Sequence, residues 1–109
     1  MVQQRFSHLS APRQALIRNC QRMGFGKIVG LTVCGREPVF GPGTEVLSDV
    51  KLNTAEITRP ELGMRDFVLR DEMVRLFAEL DSICNGVIEQ LEIREGIPVR
   101  MTRKTIMPE

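Results

Sequence analysis

The chain has 109 residues, of which 42% are hydrophobic and 27% charged; this is the size and make-up of one small globular domain and excludes both two ordinary domains and compositional disorder. No run nears the roughly 20 apolar residues that span a bilayer, and no charged start followed by an apolar segment marks a secretion signal, so the expected setting is the cytoplasm and no membrane partner is expected. The net charge of +1 conceals three blocks, with +6 over residues 1–36, −7 over 37–95 and +2 over 96–109: either the basic start binds an anion, or the blocks neutralise each other on folding, and the second is the expectation for so small a domain.

Residues 1–9 read as a flexible polar arm with no clear period. Ser10 is a candidate N-cap, and Pro12 is tolerated in the first helical turn. Leu16, Ile17, Cys20 and Met23 then recur on one helical face, and Gly24 is the expected stop. Lys27 to Cys34 is β-branched and apolar enough for a strand, Gly35-Arg36-Glu37 reads as a turn, and Pro38-Val39-Phe40 opens a second strand. After the break at Gly41-Pro42-Gly43, residues 44–52 alternate as an extra strand. Residues 53–66, with Asn53, Pro60 and Gly63, read as a loop, long enough to suggest a functional role. Phe67-Val68-Leu69 is expected to dock on the core.

The same grammar then returns sixty residues on. Asp71 is the candidate cap of a second helix, and Leu76, Phe77, Leu80 and Ile83 repeat the first apolar stripe. Residues 26–40 align without a gap to 86–100, with Gly26, Ile28, Leu31, Pro38 and Val39 matching Gly86, Ile88, Leu91, Pro98 and Val99. Ile28 and Leu31 are three apart, as are Ile88 and Leu91, so a bulge near Gly30 and Gln90 is needed to bring both members of each pair to one face. The order predicts an α+β fold: a two-layer sandwich of tandem helix-strand-strand repeats (10–40 and 70–100) with an extra strand over 44–52 and the helices on one face of an antiparallel sheet. Residues 10–104 form the single domain and 105–109 a tail. If a crossover helix precedes each first strand, the order is a circular permutation of the β-α-β-β-α-β arrangement.

Little in the chain speaks for catalysis. Tryptophan and tyrosine are absent, and His8 is the one histidine. Cys20, Cys34 and Cys84 are widely spaced, with no second ligand motif beside them, which rules against structural zinc; an odd count without a leader reads as free thiols in a reducing compartment. The acidic neighbours Asp71-Glu72 and Glu79 with Asp81 diverge on a helix and cannot converge as an acid–base pair. The glycines of 24–30 leave a helix and enter a strand, the reverse of a phosphate loop. The chain is therefore expected to be a non-enzyme, with no catalytic residue, no metal and no cofactor.

Two functions from different classes remain. The first is a small interaction module, binding a protein partner or its own copies through an unpaired sheet edge at 44–52 or at the second hairpin. The second is a nucleic-acid-binding accessory protein, with Arg13, Arg18 and Arg22 on the first helix and Lys27 at the strand entry as its contacts; the plain alternative for these four is a solvated charged surface. A weaker third is a small-molecule binder between the sheet and the long loop.

Overall fold

The computed structural model describes residues 4–50, 52 and 66–103. Two helices, α1 (Ala11–Met23) and α2 (Asp71–Ile83), cover one face of an antiparallel sheet of β1 (Gly26–Cys34), β2 (Glu37–Val39), β3 (Glu45–Ser48), β4 (Gly86–Arg94) and β5 (Ile97–Arg103). This is the α+β two-layer architecture that the alternating helical and strand periodicities predict. The core lies between the layers. Leu16, Ile17 and Cys20 from α1 and Met73, Leu76, Phe77 and Leu80 from α2 meet Ile28, Leu31, Val33, Ile88, Leu91 and Ile93 of the sheet. Each apolar stripe is thus the part of its helix that leaves water.

The sheet order is β2-β1-β4-β5, with β3 also on the outer edge of β1. Every strand pair is antiparallel. The two hairpins therefore lie side by side, and α2 links β3 to β4, two strands that run the same way on either side of β1. Each helix precedes a hairpin that pairs locally, and the hairpins meet through their first strands.

That central seam has an internal regularity. The two residue numbers of every β1–β4 pair sum to 119, from Gly26–Ile93 to Val33–Gly86. Shifting both members by sixty, one up and one down, turns Ile28–Leu91 into Ile88–Leu31 and Lys27–Glu92 into Val87–Thr32, and all four pairs occur in the ladder. The same exchange relates two contacts between the halves. Arg36 N–H donates to the Cys84 carbonyl and Gly96 N–H to the Gly24 carbonyl, each at 2.8 Å. Both donors sit in two-residue hairpin turns whose central residues have positive φ, Gly35 and Arg36 in one and Glu95 and Gly96 in the other, the geometry that suits the twist of paired strands.

Ile28 and Leu31 are both fully buried, as are Ile88 and Leu91. The β1–β4 register runs through Gly30 unbroken, whereas the β4–β5 register shifts between Ile88 and Gln90. Gly30 has φ of +71° and packs so closely under Gly43 that a Cβ would lie 2.8 Å from its carbonyl oxygen. The spacing of three is thus absorbed by a local irregularity at the expected place.

Three local expectations need correction. Asp71 is the first residue of α2, and Arg70 is its N-cap; the carboxylate still sits where the helix dipole favours it. Ser10 does cap α1, but its side chain makes no capping bond and its hydroxyl donates instead to Glu37. The extra strand spans 45–48 rather than 44–52, because after Ser48 only Asp49 N–H continues toward β1, donating to the Phe25 carbonyl. Of the expected loop 53–66, residues 53–65 lie outside the described residues, as do Lys104 and the tail 105–109.

Residues 4–9 do not behave as an arm apart from the domain. Phe6, in a short 3-10 turn, is buried and stacks on Phe67 at 5.0 Å between ring centres. Phe6 N–H donates to the Phe67 carbonyl, and Leu69 N–H to the Gln4 carbonyl. The segment 66–69 docks as expected, with Phe67 and Leu69 buried, but its partner is this N-terminal segment. Asp66 completes the tie: it accepts from Arg5 Nε at 2.7 Å and from Ser7 N–H at 2.9 Å.

These two donors, Arg5 first, hold the Asp66 carboxyl down at about 2, against an ordinary 3.8. A carboxyl depressed by folding stabilises the fold above its unfolded pKa, and that stabilisation disappears as the pH falls through its folded pKa. The tie is therefore intact at neutral pH and is lost between about pH 4 and pH 2. The protection of the Ser7 amide, relative to the intrinsic exchange rate at each pH, should fall over this window, and Asp66→Ala should remove it at neutral pH. Protection of Ser7 that survives both changes would contradict the assignment.

Candidate interaction surface

The four basic residues proposed as nucleic-acid contacts occupy different environments. Arg13 is largely covered, its side chain 15% exposed. One Nη donates to Asp81 at 2.6 Å and to the Arg36 carbonyl at 2.9 Å, and the guanidinium lies 5.1 Å over the Phe77 ring. Its Nε is buried without a hydrogen bond; Glu37 at 3.7 Å supplies charge but is too far to accept. Arg13 therefore ties α1 to the C-terminal end of α2 and to the first hairpin turn.

Arg18 lies over Phe6 at 4.3 Å and over Phe67 at 5.5 Å, and donates to the Gln21 side-chain oxygen at 2.8 Å. It closes the stacked pair that holds the N-terminal segment. Arg22 is exposed in the last turn of α1, where a cation complements the dipole. Lys27 is on the other side of the sheet: its ladder partners Leu47 and Glu92 share the face opposite the buried Ile28 row. The four do not form one surface. Arg13 and Arg18 are also about 140° apart around α1, at about 100° per residue. Two of the solvated positions expected from the sequence are thus structural, because each guanidinium found an aromatic ring from distant chain, Arg13 adding distant acceptors and Arg18 its helix neighbour Gln21.

Arg5 with Asp66, and Arg13 with Asp81 and Glu37, join the basic start to the acidic middle. Arg18→Gln should cost about 0.5–2 kcal/mol, the range for a cation over an aromatic face from exposed to desolvated sites. Arg22→Gln should change stability by less than about 0.5 kcal/mol. Urea melts of the two single variants would separate them, and equal, negligible shifts would contradict the structural role of Arg18.

No group of three or more histidine, cysteine, aspartate or glutamate residues among the described ones could hold a metal. The three cysteines are free. Burial pushes the Cys20 thiol up to about 12, so it behaves as a small core hydrophobe. Cys34 is exposed at the end of β1. No described helix is long and apolar enough to cross a membrane.

Apart from these ties, the surface offers two sheet edges and a groove. One edge is formed by β2 and β3, which follow one another along β1 and run the same way. All four residues of β3 are exposed. Of the nine large hydrophobic side chains that remain exposed among the described residues, six fall in this stretch: Val39, Phe40, Val46, Leu47, Val50 and Leu52. The turn between the strands is fixed by Thr44, whose N–H donates to the Gly41 carbonyl and whose hydroxyl donates to Gly30 and accepts from Gly41 N–H. The other edge is β5, which pairs only with β4 among the described strands. Between β5 and α2 runs a groove of about 420 Å³. Leu76, Leu91, Pro98 and Met101 form its apolar floor, and Arg75, Arg100 and Arg103 are among its charged walls. Arg103 is neutralised by Glu79 at 3.1 Å. The sequence singled out both edges, whereas the groove needs α2 and β5 brought together and leaves no local signal.

A comparison of the chain with protein-family models, with curated proteins and with solved structures finds no significant match.

Proposed function

We propose that this protein is a small non-enzymatic interaction module that associates with copies of itself in the cytoplasm. The observation that carries the reading is the gathering of six exposed apolar side chains on and beside the β2–β3 edge. Apolar residues scattered singly over a surface need no explanation, but a set gathered along a strand edge that has no partner strand among the described residues is a template for another chain. The free thiols of Cys34 and Cys84 fit a reducing compartment. We also propose that the two halves are copies of one helix–hairpin unit. The seam whose pairs map onto themselves under the shift of sixty has the form of a two-fold interface between subunits, here joined in one chain.

Sedimentation equilibrium over a wide range of concentration tests the function. The mass should rise above that of one chain, and Leu47→Lys should lower it again without changing the circular dichroism spectrum. A mass of one chain throughout would refute self-association. Binding to duplex or single-stranded nucleic acid at low salt, lost as salt rises, would instead support the nucleic-acid reading.

A further inference from the structure

We infer that copies join edge to edge, with the acidic β3 of one against the basic β5 of the next. The inference rests on the self-association proposed above and specifies its surfaces. Three features of the fold meet in it.

The first is direction. Both β3 and β4 run antiparallel to β1, and β5 runs antiparallel to β4. Within one molecule, then, β3 and β5 have opposite directions at opposite edges of the sheet. A second copy displaced along the sheet, with its helices on the same side, brings its β3 beside β5 in antiparallel orientation. The sheet continues from one copy to the next, and the backbone groups along both edges, which have no further partner strand among the described residues, find partners.

The second is charge. The β3 edge carries Glu45 and, just beyond it, Asp49; the β5 edge carries Arg100 and Arg103. Glu45, Asp49 and Arg100 are exposed and form no ion pair among the described residues. Pairing β5 with its own copy about Arg100 would oppose two arginines, and like charges directly opposite are destabilising. Pairing β5 with β3 opposes unlike charges. Glu45 and Leu47 share a face with Arg100 and Thr102: their ladder partners Val29 and Lys27 stand opposite Gln90 and Glu92, which pair Thr102 and Arg100.

The third is the apolar fit. Val46 pairs with the fully buried Ile28 and so points to the helix side of the sheet, yet it is 47% exposed, with neither described helix covering it. The α2–β5 groove opens on that same side, with Leu76 and Met101 in its floor. Joining the edges delivers the Val46 of one copy to the groove of the next. The contact is heterologous, so the assembly closes into a ring or grows as a chain according to the rotation between copies.

Charge exchange tests the pairing on the full-length chain. Glu45→Lys with Asp49→Lys makes both edges basic; Arg100→Glu with Thr102→Glu makes both predominantly acidic and leaves the Arg103–Glu79 pair in place. Each double variant should self-associate at least about tenfold more weakly than wild type, since opposed like charges cost at least that much. Mixing the two should restore association. Raising salt from about 0.05 to about 0.5 M should weaken wild-type association as the attraction is screened, a readout that needs no variant and so survives poor folding of either. A wild type that stays monomeric overturns the inference and the self-association reading together. A wild type that associates while both folded variants associate equally well, or that stops at a closed dimer, overturns the edge pairing and leaves self-association standing.

Discussion

Leu16→Ala is expected to destabilise the protein by about 2–5 kcal/mol, the measured range for removing a buried leucine side chain. Leu16 is fully buried in α1 and belongs to the cluster that contains residues of both helices and of β1 and β4, so the cavity opens where both halves meet and neither can collapse alone. Leu76→Ala, at the position sixty residues on, should cost less within that range. Leu76 is 5% exposed and also lines the α2–β5 groove, so part of the space it leaves is already open to water. Urea unfolding of both variants, followed by circular dichroism, gives the comparison. Near-neutral midpoints for both would mean that these stripes are not the core.

The second large effect is an asymmetry between halves. Gly26→Ala should cost about 2–6 kcal/mol, whereas Gly86→Ala, its counterpart, should stay below about 1 kcal/mol. Gly26 has φ of +148°, and a Cβ there would lie 2.1 Å from the Leu47 carbonyl oxygen and 3.0 Å from the Ser48 Cα. Backbone strain of about 1–3 kcal/mol adds to displacement of β3, of about 1–3 kcal/mol for overpacking. At Gly86 the nearest atom is a methyl of Ile83 at 3.2 Å, the end of a side chain that can give. The difference has one source: β3 crosses beside Gly26, pairing it with Ser48, and no described strand lies there beside Gly86. Thermal melting of the two variants decides it, and equal losses would show that β3 is not seated on β1. Because β3 is also one of the two proposed contact edges, Gly26→Ala should weaken self-association along with stability.

Neighbouring residues were enough to locate most elements. The helical stripes of 16–23 and 76–83, the strands that follow and the irregularity at Gly30 and Gln90 are patterns of period and turn chemistry, visible within a dozen residues. The positions of Asp71 and of the end of β3 were less legible, since a helix start and a strand end depend on which backbone groups find partners.

The roles of Arg13, Arg18 and Phe6 were decided by tertiary structure alone. Arg18 on a polar helix face looks like any solvated charge, and Phe6 in a polar start looks like an arm; they become a packed unit with Phe67, 61 residues beyond Phe6, which stacks on Phe6 and lies 5.5 Å from the Arg18 guanidinium. The sheet order was undetermined for the same reason. Local patterning makes each hairpin, but the pairing of β1 with β4 depends on which arrangement buries both helix stripes at once. Period and turn residues are local properties of the chain, whereas burial and ion pairing are properties of what the chain brings together.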